Sequence, residues 1–463
     1  MKDETEDFAS PIRPSSFTAS RARFGVMAFL CVLSFLTYYD RQCISSISAL
    51  VQADLGLSAI QMGAVFSAFW LAYALFEIPS GFLGDRYGAR GTLTRIVLAW
   101  SLFTALTGSA TGIYSLFAYR FLFGVGEAGA YPNMARIQSA WLPTATRARA
   151  GGLLWLTARW GAAFAPFIVG WLISAFSSVN TRGIAPWRLA FAASGVIGTI
   201  WVLAFVGWFR DDPADHPSVN DAELRLIRDG ATAPPPTHPR IPGVFGALFA
   251  SPSLWGLAIL YTCVSFGWSF FVSWMPRFFT EVQGVTFTAS RWMIALPLFF
   301  GGIACLLGGA LSDALVRRTG NKRFGRALLP IVGYTLAAAA MLGVRFTHTP
   351  WQATTLFCVA AAALDFGQGA NWATIVDIGG RYAGSATGFV NMFGNLGGNA
   401  LQPVVGAWIF TRLGWNALFL TYAATSLGAA AMWLFINPSR RFYQDQEEAA
   451  RGFEVIPPRP RET

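Results

Sequence analysis

Charge is scarce in this chain. Only 13% of its 463 residues are Asp, Glu, Lys or Arg, against 54% hydrophobic, whereas a soluble globular protein carries about 25% charged residues. That shortage excludes a single water-soluble core; so much apolar surface needs lipid as its solvent. Histidine is scarcer still. His216, His238 and His348 all fall outside the apolar runs, so any proton carried through the membrane must ride on a carboxylate. The five cysteines, Cys31, Cys43, Cys263, Cys305 and Cys358, sit inside apolar runs at no metal-ligand spacing, and read as small core residues. No nucleophile–base pair, metal cluster or nucleotide loop stands out. This argues against an enzyme and leaves no cofactor to place. Neither the tails nor the linker are long enough for a receptor's soluble sensing domain. The stretch 1–23 is polar, with Asp3, Glu4, Glu6 and Asp7 and no apolar core, so it is not a signal peptide.

What the chain has instead is apolar runs of spanning length. A bilayer core needs roughly 20 such residues per helix. Twelve runs qualify, near 24–50, 59–83, 92–111, 113–140, 146–176 and 187–209, then 253–280, 288–315, 326–346, 351–378, 382–411 and 414–436. The expected fold is an all-α membrane protein with two pseudo-symmetric six-helix halves, 24–209 and 253–437. A polar linker, 210–252, joins them, with Ala233-Pro234-Pro235-Pro236 and a short possible helix near Ala222 to Arg228. A charged tail, 438–463, follows. The net charge of +10 could suggest a nucleic-acid partner. Its placement in short loops and tails fits the positive-inside rule better. Basic residues crowd the loops after the second, fourth, eighth and twelfth runs, which predicts that both termini and the linker are cytoplasmic. The expectation is a monomer in the inner (plasma) membrane.

One loop occurs twice. Gly81-Phe82-Leu83-Gly84-Asp85-Arg86-Tyr87-Gly88-Ala89-Arg90 joins the second and third runs. Gly309-Ala310-Leu311-Ser312-Asp313, then Arg317-Arg318-Thr319-Gly320-Asn321-Lys322-Arg323, joins the eighth and ninth. A glycine, an Asp and a basic cluster between apolar spans mark a tight loop at a membrane surface. Its repetition marks an internal duplication, the plan of many secondary transporters. The pattern resembles the loop signature of the major facilitator superfamily, closely in the first copy and loosely in the second. Gly81, Asp85, Arg86, Gly88 and Arg90 are therefore candidate gating residues.

Ionisable side chains at mid-bilayer cost about 2.5–3.5 kcal/mol on insertion scales, so each needs a reason. The first half holds Asp40, Arg41, Glu77, Arg120, Glu127 and Arg159; the second has Asp365 at depth and Asp377 near a helix end. Arg120 and Glu127 share a helix face about 20° apart, roughly 10.5 Å along the axis, too far to pair directly. Gly124, Gly126 and Gly129 let a neighbour approach that segment. One reading is that these are buried ion pairs that lock helices together. A cavity that uses cations to hold an anion explains the concentration better, because buried pairs contribute little net stability. Most aromatics in the spans read as packing; Tyr38 and Tyr73 are placed to face the same cavity as Asp40.

The motifs carry a closer resemblance. Tyr39-Asp40-Arg41 with Ile44-Ser45, Asp54-Leu55-Gly56-Leu57-Ser58, Tyr73-Ala74, Ile78-Pro79-Ser80-Gly81, the run Arg120 through Pro132, Trp372-Ala373, Asp377, Gly384 through Gly388, Asn391 and Gly394-Asn395 resemble the anion:cation symporter family of the major facilitator superfamily. That family includes carriers of hexuronates, galactonate and glucarate, and the sialin and vesicular glutamate carriers. The resemblance implies that Arg41 contacts an anionic substrate, with Tyr38 and Tyr73 lining its site. Asp40 and Glu127 would take protons, Arg120 would pair with the carboxylates, and Asn391 and Asn395 would meet sugar hydroxyls. Cys43 and Glu77 depart from the family, which has Asn and Gln there. The resulting expectation is a proton-coupled importer of an organic anion, a sugar acid, working by alternating access, its partners being the substrate, protons and the bilayer. Carriers of the same fold without proton coupling, or for aromatic or dicarboxylic acids, remain the alternatives.

Overall fold

The computed structural model describes residues 18–177, 184–228, 243–285 and 291–444. Every regular element among them is helical. Twelve long helices stand where the apolar runs predict them. In the first half they are α1 (Ala22–Ser46), α2 (Ala59–Tyr87), α3 (Ala89–Thr107), α4 (Ile113–Glu127 continued by Ala130–Trp141), α5 (Arg147–Ser177) and α6 (Pro186–Trp208). In the second they are α7 (Pro252–Ser273, continued by Met275–Glu281), α8 (Arg291–Thr319), α9 (Lys322–Val344), α10 (Pro350–Phe366 and Gln368–Gly379), α11 (Ala383–Gly394, then Asn395–Leu401 and Gln402–Leu413) and α12 (Trp415–Met432). Seven are long and apolar enough, taken singly, to cross a membrane. Of the other five, α4, α10 and α11 are built from shorter pieces.

The breaks have local causes. Pro132 offers no N–H to the carbonyl of Ala128, so α4 is interrupted at Ala128-Gly129. At Gly367 the backbone of α10 passes so close to α9 that a Cβ would lie 2.8 Å from the Cα of Pro330. In α11 a π-helical turn, Asn395–Leu401, ends two residues before Pro403; such wide turns re-aim side chains and are common at functional sites.

One apolar core lies mainly in each half, the first also taking in Cys305, Trp372, Val376 and Ala383 of the second, and the halves meet where α2 runs against α11 and α5 against α8. The duplicated loop builds both seams. A Cβ on Gly81 would lie 2.3 Å from the carbonyl oxygen of Gly384, and one on Gly309 would lie 2.2 Å from that of Ala148. Asp85 accepts hydrogen bonds from Gly384 N (3.2 Å) and from Ser385 N and Oγ (2.7 Å each) at the start of α11. Asp313 accepts from Ala148 N (3.2 Å) and Arg149 N (2.7 Å) at the start of α5. Each half thus presents a carboxylate to the positive end of a helix in the other. The second copy is loose in sequence and equivalent in structure.

The linker helix, Asp221–Arg228, lies within one residue of its expected position; the proline run falls outside the described residues. Its buried Glu223 caps α1, accepting from Ala22 N and Arg23 N (3.1 Å each), from Arg23 Nη1 (2.9 Å) and from Ser20 Oγ. Asp211 similarly caps α3 through Arg90 N at 2.9 Å. The linker and the described ends of both halves therefore share one face of the bundle.

Candidate functional site

Between the halves lies a cavity of about 850 Å³, lined from both sides. Exposed Ser45, Ala64 and Ser67 mark its mouth, at the ends of α1 and α2 farthest from the linker face. The opposite end is shut. Arg147 Nη1 lies 2.6 Å from Asp377 Oδ1, Arg326 Nη1 lies 2.7 Å from Asp313, and Arg326 Nη2 donates to Thr144 O at 3.1 Å. Trp372 Nε1 donates to Gln138 Oε1 at 2.6 Å, and Arg136 stands 3.8 Å from Asp85. Most of these bonds join one half to the other, so the bundle is closed at the linker face and open at the other.

Arg41 sits at the heart of the cavity wall. Its guanidinium lies 4.4 Å from the Tyr73 ring centroid, 4.8 Å from Tyr38, and 5.5 Å from both Phe69 and Trp70. Its Nε donates to Glu127 Oε1 at 2.7 Å. Its Nη2 has no hydrogen-bond partner among the described residues, and neither has Glu127 Oε2. Beside this pair α4 lies close against α2: a Cβ on Gly124 would be 2.6 Å from Phe69 O. A buried cation with an unused donor edge, held by a carboxylate with an unused oxygen, can receive an anion on one side and a proton on the other.

The other expected residues divide. Arg120 lines the cavity, over the rings of Phe123 (4.4 Å) and Phe69 (5.2 Å). It makes no ion pair among the described residues; Arg41 holds Glu127 instead. Asp40 is buried behind the wall with Oδ1 unbonded. Asn391 and Asn395 both line the cavity. Asn395 Nδ2 donates to Glu77 Oε2 at 2.9 Å, and its own oxygen accepts from Asn399 at 2.8 Å. Glu77, the departure on α2, therefore touches the π-helical turn of the other half. In the loop, Gly88 takes a φ of 88°, a conformation costly for other residues. Arg90 donates to Val206 O, and Arg86 is exposed.

The sequence did not assign roles to Trp155, Trp268, Gln42, Gln368 and Asn399, all in the cavity wall. Nor did it pair Arg159 with Asp365. Arg159 Nε and Nη2 donate to Asp365 Oδ2 and Oδ1 at 3.2 and 3.1 Å, and Trp268 Nε1 donates to Oδ1 at 2.9 Å.

A model of the Major Facilitator Superfamily matches residues 30–400 and 321–460. The probable sulfoacetate transporter SauU of Cupriavidus necator is 32% identical over 448 residues, covering 94% of this chain and 99% of the relative. The probable galactarate/D-glucarate transporter GudP of Escherichia coli K12 is 30% identical over 440 residues (90% and 94%). The D-galactonate transporter of Escherichia coli O6:H1 is 30% identical over 435 residues (91% and 97%). Among solved structures, the proton:xylose symporter XylE superposes with a TM-score of 0.70 at 17% identity, over 92% of this chain and 98% of that one, a likeness of fold.

Proposed function

The chain belongs to the Major Facilitator Superfamily, and on that footing we propose that it is a proton-coupled importer of an organic acid anion, a sugar acid. The observation that carries this reading is the free Nη2 edge of Arg41 in a cavity that also presents the amides of Gln42, Gln368, Asn391, Asn395 and Asn399. A guanidinium edge suits a carboxylate, and amides suit hydroxyls. Relatives named for galactarate, glucarate and galactonate support the same class.

Proton coupling follows from charge balance. The ionisable groups on and behind the cavity wall are Arg41, Arg120 and Arg159 against Asp40, Glu77, Glu127 and Asp365. With every group ionised the set is net negative and repels an anion. A substrate carboxylate at Arg41 competes with Glu127 for the guanidinium. A carboxylate that loses its cation in a dry interior is neutralised by a proton. Substrate and proton thus arrive together, and release in the reverse order completes the step. Delivery to the linker face requires the bonds of Asp85, Asp313 and Asp377 across the seams to part while the halves rock. We place that face in the cytoplasm, as the loop charges indicate.

Uptake of labelled sugar acids into proteoliposomes, with and without an inward proton gradient, tests the proposal. Accumulation of at least one of them that collapses with a protonophore is expected. Accumulation indifferent to the pH gradient overturns the coupling, and no sugar-acid uptake overturns the substrate class.

A further inference from the structure

We propose that Arg159 is a second anion subsite of this cavity, taking the far acid group of a substrate that carries an acid at each end. The proposal rests on the organic-anion reading above and narrows it to dianions: aldarates, other aliphatic dicarboxylates and sulfo-carboxylates.

Four observations support it. First, Arg41 and Arg159 line one cavity and are joined along its wall by ring contacts: Arg41 to Tyr38 at 4.8 Å, Tyr38 to Trp155 at 6.3 Å, and Trp155 to Arg159 at 5.6 Å. The two guanidiniums thus stand at different points of one cavity, with the Tyr38 and Trp155 rings between them. Second, Arg159 is held in place. Asp365 grips Nε and Nη2, Trp268 lies 3.7 Å from the guanidinium, and Trp268 itself is fixed by its bond to Asp365. A fork so oriented loses little freedom on binding. Third, part of it is unused. Nη1 makes no hydrogen bond among the described residues, and the Arg159 side chain keeps 14% of its surface while Asp365 keeps 1%. The guanidinium therefore faces the cavity and its counter-ion stands behind it. Fourth, the two forks sit in different packing contexts. Arg41 is boxed by α1 and α2 of one half, whereas Arg159 reaches over to α7 and α10 of the other. A dianion spanning both cations contacts both halves through groups that a monoanion has only at one end. Asp365 is the positioning residue: it aims the fork, and its own charge opposes the incoming anion.

That last point sets the test apart from a plain inter-half latch. The probes are pairs matched in chain length, galactarate against galactonate and adipate against hexanoate, with binding measured by calorimetry on the detergent-purified chain. The variants are Asp365→Asn, which keeps an acceptor for Arg159 but removes the charge, and the double variant Arg159→Gln with Asp365→Asn, which keeps a neutral, foldable pair. The double variant is expected to weaken the dianion of a pair at least tenfold more than its monoanion. Asp365→Asn alone is expected to tighten the dianion several-fold. If the pair is only a latch, both variants shift dianion and monoanion alike, and the proposal falls. Wild-type chain that binds monoanions as tightly as dianions overturns the subsite alone. Wild-type chain that binds none of the four acids overturns the organic-anion reading and the subsite with it.

Discussion

Removing the Arg41 guanidinium is the sharpest perturbation of the proposed site. Arg41 spends one donor on Glu127 and leaves its buried Nη2 edge unbonded among the described residues. A substrate carboxylate on that edge forms two charge-assisted hydrogen bonds, worth about 1.5–3 kcal/mol each. Their loss in Arg41→Ala raises Kd by about 10²–10⁴-fold. Arg41→Lys restores a charge but not the fork, nor the stacking against Tyr38 and Tyr73, so it recovers less than tenfold of that loss. Arg41→Ala also strands Glu127 as a buried unpaired carboxylate, a defect of about 3–5 kcal/mol. The paired variant Arg41→Gln with Glu127→Gln separates loss of binding from loss of fold, since it removes both charges. Calorimetric titration with the best-transported sugar acid reads the effect. A Kd within threefold of wild type in folded Arg41→Ala refutes the reasoning and moves the primary cation to Arg120 or Arg159.

Glu127→Gln resembles the protonated acid but cannot release its proton; exchange of labelled for unlabelled substrate should persist while accumulation against a gradient fails, as counterflow and net uptake measured on the same liposomes will show. Asp85→Asn and Asp313→Asn each weaken one seam, so distances between spin labels on the linker-face ends of α2 and α11, or of α5 and α8, should broaden toward longer values, most in the double variant. Replacing Gly81 or Gly309 by Leu should cut transport at least tenfold, because each glycine lies under 2.5 Å from an opposing carbonyl oxygen once a Cβ is added. Glu223 is the group to titrate outside the membrane. Burial raises its pKa, but hydrogen bonds from Ser20, Arg23 N and Ala22 N and the charge of Arg23 outweigh this and hold the carboxyl below its ordinary value. A depressed folded-state pKa contributes stability that is full above about pH 4.3 and is lost as pH falls through the lower folded value. Thermal unfolding of wild type should therefore lose its advantage over Glu223→Gln only on acidification below that range, and a constant difference down to pH 3 would contradict the assignment.

Spanning helices were legible because a bilayer demands length and apolarity, both local properties; the bounds of α4 and α10 fall within one or two residues of the runs that predict them. The duplicated loop was legible for the same reason. Its second copy looked degenerate because the basic run is displaced, yet Gly309 and Asp313, which make the close approach and the helix-end bonds to α5, were both in the motif. Pairing across helices was not legible. Arg41 to Glu127, Arg159 to Asp365 and Glu77 to Asn395 join residues 86, 206 and 318 positions apart, and no periodicity encodes which helix faces which. The π-helical turn that carries Asn395 and Asn399 was equally hidden, since no sequence period marks it.

The central claim is that anion and proton move as one. Its most direct measurement is proton movement evoked by substrate alone. Purified chain is reconstituted into liposomes with a pH-sensitive dye inside, at equal pH on both sides and with the membrane potential clamped. The transported sugar acid, named by the uptake panel, is then added outside. The account predicts acidification of the lumen that tracks labelled substrate entry and disappears in Glu127→Gln. Substrate entry at full rate with no change in luminal pH would contradict it.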